Sequence, residues 1–221
     1  YKDPFLIEQQ YTSEEVLIRN TAKSFARNEL LPKIVEANRH EKYDKDLFLK
    51  LGKLGFLGAQ LSGYGCSGIS SVGYGLIAKE VEAVDSSYRS SISVQSSLVM
   101  QPIYDYGNEE QKSKWLPKLA KGELIGCFGL TEPDHGSDPS SMLTKAKKTK
   151  GGFILNGSKN WISNSPIANI FLIWAKDDDN VIRGFILERN EEVKGLSTPK
   201  IEGKFSLRAS PTGLILLDNV F

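Results

Sequence analysis

Gly126-Cys127-Phe128-Gly129-Leu130-Thr131-Glu132-Pro133-Asp134-His135-Gly136-Ser137-Asp138 marks the place where the sequence changes character. Its first five residues read as an apolar strand, and the rest as a turn rich in Gly, Ser and Asp. Such a turn can aim backbone N–H groups and hydroxyls at an anionic or polar ligand while the strand holds it still. An ordinary strand-to-loop junction has the same composition, and physics alone weights the two readings equally.

Upstream of this stretch the chain reads as helical. Thr12-Ser13-Glu14-Glu15 is a capping box, which places a hydroxyl and a carboxylate on the orphan amides of a helix start. Ile18, Ala22, Phe25 and Ala26 then recur at helical spacing, and the helix is expected to end near Pro32 or slightly beyond. A second helix is expected over residues 46–54, stopped by Gly55. Residues 63–68 are too glycine-rich for a regular element. They resemble a phosphate-binding loop in composition only, because no strand precedes them and no lysine follows. Residues 70–84 and 91–106 read as two further helices, rich in small residues and therefore buried. Asn108-Glu109-Glu110-Gln111 opens another, carrying Trp115, Leu116 and Leu119, which Pro117 is expected to kink or shorten.

Downstream the period becomes that of strands. The Asn156-Gly157 pair favours a tight two-residue hairpin. Residues 170–175 and 181–188 flank Asp177-Asp178-Asp179-Asn180 as a second hairpin, and residues 213–218 read as a last strand. Helices followed by antiparallel strands indicate an α+β chain of two packed units. The expectation is an N-terminal all-α helical domain over residues 1–122 and a mainly antiparallel β-domain over 123–221.

The 221 residues are 40% hydrophobic and carry a formal charge of +1, which gives no reason to expect nucleic acid or an anionic membrane as a partner. The basic run from Lys145 to Lys150 reads as a solvated strand or hairpin edge. No stretch is long and apolar enough to suggest a membrane span. The two histidines, His40 and His135, lack a helical i,i+4 partner, and Cys66 and Cys127 lack metal-type spacing. These patterns argue against a zinc site or a histidine triad, so a bound cofactor is the better source of difficult electronics. Cys127, inside an apolar run, reads as a small core residue.

A second cluster, Lys159-Asn160-Trp161-Ile162-Ser163-Asn164, puts an aromatic two residues before a hydroxyl. On a strand both project from one face, which suits a planar heterocycle needing a stacking surface and one hydrogen bond. Taken alone, a tryptophan covering its own core is the commoner outcome. The two clusters together, about two dozen residues apart, resemble the flavin-binding half of the acyl-CoA dehydrogenase family, and the likeness extends over the whole chain.

That resemblance implies FAD as cofactor. Phe128, Gly129, Leu130, Thr131, Gly136 and Ser137 would line it, with Thr131 bonding the pyrimidine end and Leu130 contributing backbone groups. Trp161 and Ile162 would lie beside the ring system, and Ser163, where many relatives have threonine, would bond near N5. Ser137 would also touch the CoA arm of the substrate. The stretch from Glu82 to Ser96 resembles the glutaryl-CoA branch. There Arg89, Ser90 and Ser93 would hold the substrate's distal carboxylate, and Glu82 would help set the site. Arginine suits that task through its fixed charge, forked donors and weak hydration, although a surface arginine at a helix start is the plainer reading of the residues alone.

The implied reaction is dehydrogenation and decarboxylation of glutaryl-CoA to crotonyl-CoA and CO2, as in lysine and tryptophan catabolism, with electrons passed to electron-transfer flavoprotein; the alternative is another acyl-CoA dehydrogenase, or one that oxidises glutaryl-CoA without losing CO2. Family members continue into a C-terminal four-helix domain that holds the glutamate base and assemble as homotetramers. With that domain absent from the sequence, no catalytic base is assigned, and a polypeptide ending at Phe221 is expected to be inactive and to hold FAD poorly. The resemblance also implies a mitochondrial matrix location in a eukaryote and a cytoplasmic one in a bacterium.

Overall fold

The computed structural model describes residues 3–221. The helical part contains α1 (Ser13–Phe25), α2 (Leu31–Arg39), α3 (Asp46–Lys53), α4 (Ser71–Glu82), α5 (Ser86–Ser93), α6 (Gln101–Tyr106) and α7 (Glu109–Ala120). The Thr12 capping box forms as expected: the Thr12 hydroxyl accepts from the Glu15 amide, and the Glu15 carboxylate accepts from the Thr12 amide at 2.9 Å. Gly55, at φ +70°, ends α3.

Pro32 behaves differently from expectation. The first helix does not stop near Pro32. A π-helical turn, Ala26–Leu30, joins α1 to α2, and the Leu31 amide reaches back five residues to Ala26. Pro32 then falls in the first turn of α2, where its missing N–H leaves no gap. A second π segment, Val94–Met100, links α5 to α6 and puts Pro102 in the same position. Pro117, by contrast, sits inside α7 without shortening it. Burial of Trp115, Leu116, Leu119 and Ala120 on the core face outweighs the lost hydrogen bond. The helix expected from residue 91 starts at Ser86, because the Asp85 carboxylate caps it by accepting from the Ser87 amide at 2.8 Å.

The strands are β1 (Gly126–Gly129), β2 (Lys145–Thr149), β3 (Gly152–Ser163), β4 (Ile170–Lys176), β5 (Ile182–Glu188), β6 (Leu196–Ser197) and β7 (Thr212–Val220). They form one mixed sheet in the order β1-β4-β2-β3-β7-β6, with β5 on β4. Four pairings are antiparallel, while β1 and β2 run parallel to β4. The β4–β5 hairpin forms over Asp177–Asn180 as expected. The Asn156-Gly157 pair does not turn the chain. The turn falls at Lys150 and Gly151, where Gly151 adopts φ +91°, and Gly157 instead sits within β3 at a bulge opposite β7. A Cβ there would come within 2.5 Å of the Thr144 hydroxyl, so glycine at 157 serves a close approach rather than a hairpin. The basic run is β2, with Ala146 buried and its lysines exposed.

One apolar core lies among the helices and reaches Ile170 and Ala209; a second fills the sheet around Cys127, Phe171, Ile173 and Ile215. Gln95 stitches the two together. Its amide nitrogen donates to the carbonyls of Leu119 (3.1 Å) and Leu124 (2.8 Å), and its oxygen accepts from the Gly126 amide at 2.8 Å. Among the described residues no helix is long and apolar enough to cross a membrane.

Candidate functional site

Where β1 meets the π segment, a cavity of about 190 Å³ opens between the two parts of the chain. Val94 and Leu98 form its helical wall. Phe128, Leu130 and Thr131 come from the end of β1, and Trp161, Ile162 and Ser163 from the end of β3. Six of the residues singled out in the sequence thus share one space. Alternation on a regular strand is not how Trp161 gets there. The β3–β7 register shifts between Lys159 and Ile162, and Trp161 takes φ +59°, its amide donating to the Asn160 side chain at 2.9 Å. This bulge turns the indole outward, 60% exposed, while Ile162 stays buried. A left-handed tryptophan with its ring in the open is an unfavourable arrangement for folding alone.

The remaining sequence-selected residues are placed otherwise. Gly129 packs inward: a Cβ there would meet Ile173 at 2.8 Å and Ile215 at 3.1 Å, so its small size is explained by the core. Gly136 and Ser137 lie in the exposed 133–138 turn outside the cavity, and a Cβ on Gly136 would meet nothing within 4 Å. Arg89, Glu82 and Ser93 come together on α4 and α5. The Arg89 Nε donates to Glu82 at 2.6 Å and one Nη donates to Ser93 at 3.3 Å. The Ser86 hydroxyl and then Arg89 hold the Glu82 carboxyl below the usual range. The guanidinium is neither sealed in nor fully in solvent, its side chain being 37% exposed. Ser90 lies one residue beyond it, half-buried. Arg89 precedes Val94 by five residues, roughly 7.5 Å along a helix axis.

Two residues at the site escaped the sequence reading. Lys159 has a fully buried side chain, whose ammonium donates to the Leu130 carbonyl at 3.0 Å and to Glu132 at 2.9 Å. Glu132 also accepts from the amides of Leu143 (2.6 Å) and Thr144 (2.9 Å) and from the Thr144 hydroxyl. Burial pushes the Glu132 carboxyl up, but the Leu143 amide, the Thr144 hydroxyl and amide, and the Lys159 ammonium together bring it down to about 2. The available signal was a lysine in the same strand parity as Leu155.

The site fits a flavin on its own terms. It offers an exposed indole face, apolar walls, and two hydroxyl-bearing residues, Thr131 and Ser163, in its lining. A larger recess of about 340 Å³ between α6 and β5 collects none of the sequence-selected residues.

The profile of the acyl-CoA dehydrogenase N-terminal domain matches residues 12–123, and that of the acyl-CoA dehydrogenase middle domain matches residues 127–220. The chain belongs to the acyl-CoA dehydrogenase family. It is similar to a glutaryl-CoA dehydrogenase from Mycobacterium smegmatis, solved in complex with FADH2, at 45% identity and a TM-score of 0.93, covering 96% of this chain and 54% of that one. It is also similar to butyryl-CoA dehydrogenase from Megasphaera elsdenii, at 33% identity and a TM-score of 0.87, covering 95% of this chain and 57% of that one. An acyl-CoA dehydrogenase of Bacillus subtilis is 36% identical over 213 residues, which are 94% of this chain and 56% of the relative. The chain therefore spans about half the length of the relatives it matches.

Proposed function

We propose that the cavity between β1 and β3 holds the isoalloxazine of FAD, and that the protein carrying this sequence oxidatively decarboxylates glutaryl-CoA to crotonyl-CoA and CO2. The observation that carries the reading is the exposed, backbone-strained Trp161 facing the same space as the Thr131 and Ser163 hydroxyls. A bound flavin supplies the hydride acceptor at N5. The chain's own residues bind and orient: the indole gives a stacking face, the two hydroxyls satisfy polar ring edges, and Val94, Leu98 and Phe128 keep water away. Ser137, in the exposed turn beyond the cavity, is proposed to meet the pyrophosphate and the CoA arm.

Substrate choice rests on Arg89. Glu82 and Ser93 occupy two of its donors and fix the side chain's direction, leaving the other Nη edge for a carboxylate. Its spacing from Val94 suits a short dicarboxylic acyl chain. One feature favours a second reading, an acyl-CoA dehydrogenase for monocarboxylic thioesters: the Arg89 charge is already balanced by Glu82. Arg89→Ala decides between them. The expected result is a fall of about 100-fold in kcat/KM for glutaryl-CoA relative to butyryl-CoA, the loss typical of a charge-assisted pair. An unchanged ratio assigns the protein to the second reading. Electron-transfer flavoprotein as acceptor and a homotetrameric assembly belong to the same proposal.

A further inference from the structure

Lys159 is buried beside the cavity yet contributes no atom to its lining. A lone ammonium is costly to bury, and even a paired one brings little net stability compared with a packed apolar side chain. Its position on two elements suggests what it does there. From β3, two residues before Trp161, it bonds the Leu130 carbonyl and Glu132 on the loop that follows β1. Its neighbour Asn160 adds a third tie, the amide donating to the Thr131 carbonyl at 2.9 Å. One wall of the cavity bears Leu130 and Thr131; the other bears Trp161 and Ser163. Lys159 is the side-chain link between them, and Glu132 anchors that link through the amides of Leu143 and Thr144.

We propose that Lys159, held by Glu132, is a positioning residue whose ammonium sets the spacing between the two walls that grip the flavin ring. A purely apolar residue at 159 would fill the volume but leave the 130–132 loop tied to β3 by the Asn160–Thr131 backbone bond alone, with its spacing less tightly set. The inference rests on the reading that this cavity binds FAD, and the test keeps the two apart. Unless the unaltered full-length protein that carries this sequence, stripped of flavin, rebinds FAD, the reading itself fails.

Given that binding, Glu132→Gln/Lys159→Met removes both buried charges together, so that neither is left unpaired. The expected result is an unfolding midpoint in urea close to that of the unaltered apoprotein, with FAD bound at least tenfold more weakly and its visible absorption bands displaced. Unaltered FAD affinity and spectrum in the double variant would show that the pair merely fills the core, and would overturn the proposal. Thr144→Val covers the case in which the double variant does not fold. It is nearly isosteric, lines no part of the flavin cavity, and deletes one hydrogen bond to Glu132. It is expected to weaken FAD binding about threefold or more while the protein remains folded. An affinity equal to that of the unaltered protein would equally refute the positioning role.

Discussion

Glu132 and Lys159 carry a pH signature of their own. The folded Glu132 carboxyl titrates at about 2, below the ordinary value of 4.5. As pH falls, the unfolded chain therefore takes up the proton first. The stability this group contributes is complete above pH 4.5 and is lost progressively as pH drops towards 2. Urea midpoints of the apoprotein across that window are expected to fall more steeply for the unaltered protein than for Glu132→Gln/Lys159→Met. Equal slopes would show that Glu132 is not held down by its buried partners. Residue by residue, the sequence revealed the groups that face the cavity, because Trp161, Thr131 and Ser163 stand in recognisable clusters. It did not reveal the pair behind them. A lysine 27 positions from its glutamate looks like any surface charge until β3 and the loop after β1 are brought together. Nor could Arg89 be read as engaged with Glu82 before α5 was seen to start at Ser86.

At the scale of elements, the local rules held wherever one residue governs one backbone position. The capping boxes at Thr12 and Asn108 and the stop at Gly55 formed as read. They failed where a neighbouring element imposed the conformation. Asn156-Gly157 carries the signal of a hairpin turn, yet the glycine is needed because Thr144 presses against β3. Pro32 looks like a terminator, but a π turn ahead of it lets the helix continue; the helix read through Pro102 continues behind a π segment of its own. The π segment before Pro102 carries Val94 and Leu98 on the cavity wall. The bulge permits a sharp prediction. Gly157→Ala forces a Cβ against Thr144 at φ +145° and should cost about 2–4 kcal/mol. Gly136→Ala, in open space at an ordinary φ, should stay within about 0.5 kcal/mol. Urea denaturation measures both. Comparable losses at the two positions would refute the account of the bulge.

For the molecule as a whole, the order of helices then strands was legible from the change of period near residue 124, and with it the α+β class. The sheet order was not. β1 lies parallel to β4, more than 40 residues away in sequence, and that pairing is fixed by burial of Cys127, Phe171 and Ile173 rather than by any local pattern. Gln95, a polar residue in a helix of small and apolar ones, gave no hint that it ties the helical part to the first strand. The cavity exists because that junction places the π segment over the ends of β1 and β3. Its binding of flavin is the claim on which the function depends. Titration of the flavin-free full-length protein that carries this sequence with FAD, followed by quenching of flavin fluorescence, tests it most directly. Saturable binding of one FAD per chain, weakened at least tenfold in Thr131→Ala/Ser163→Ala, is the predicted result; no quenching, or the same affinity in that variant, would contradict it.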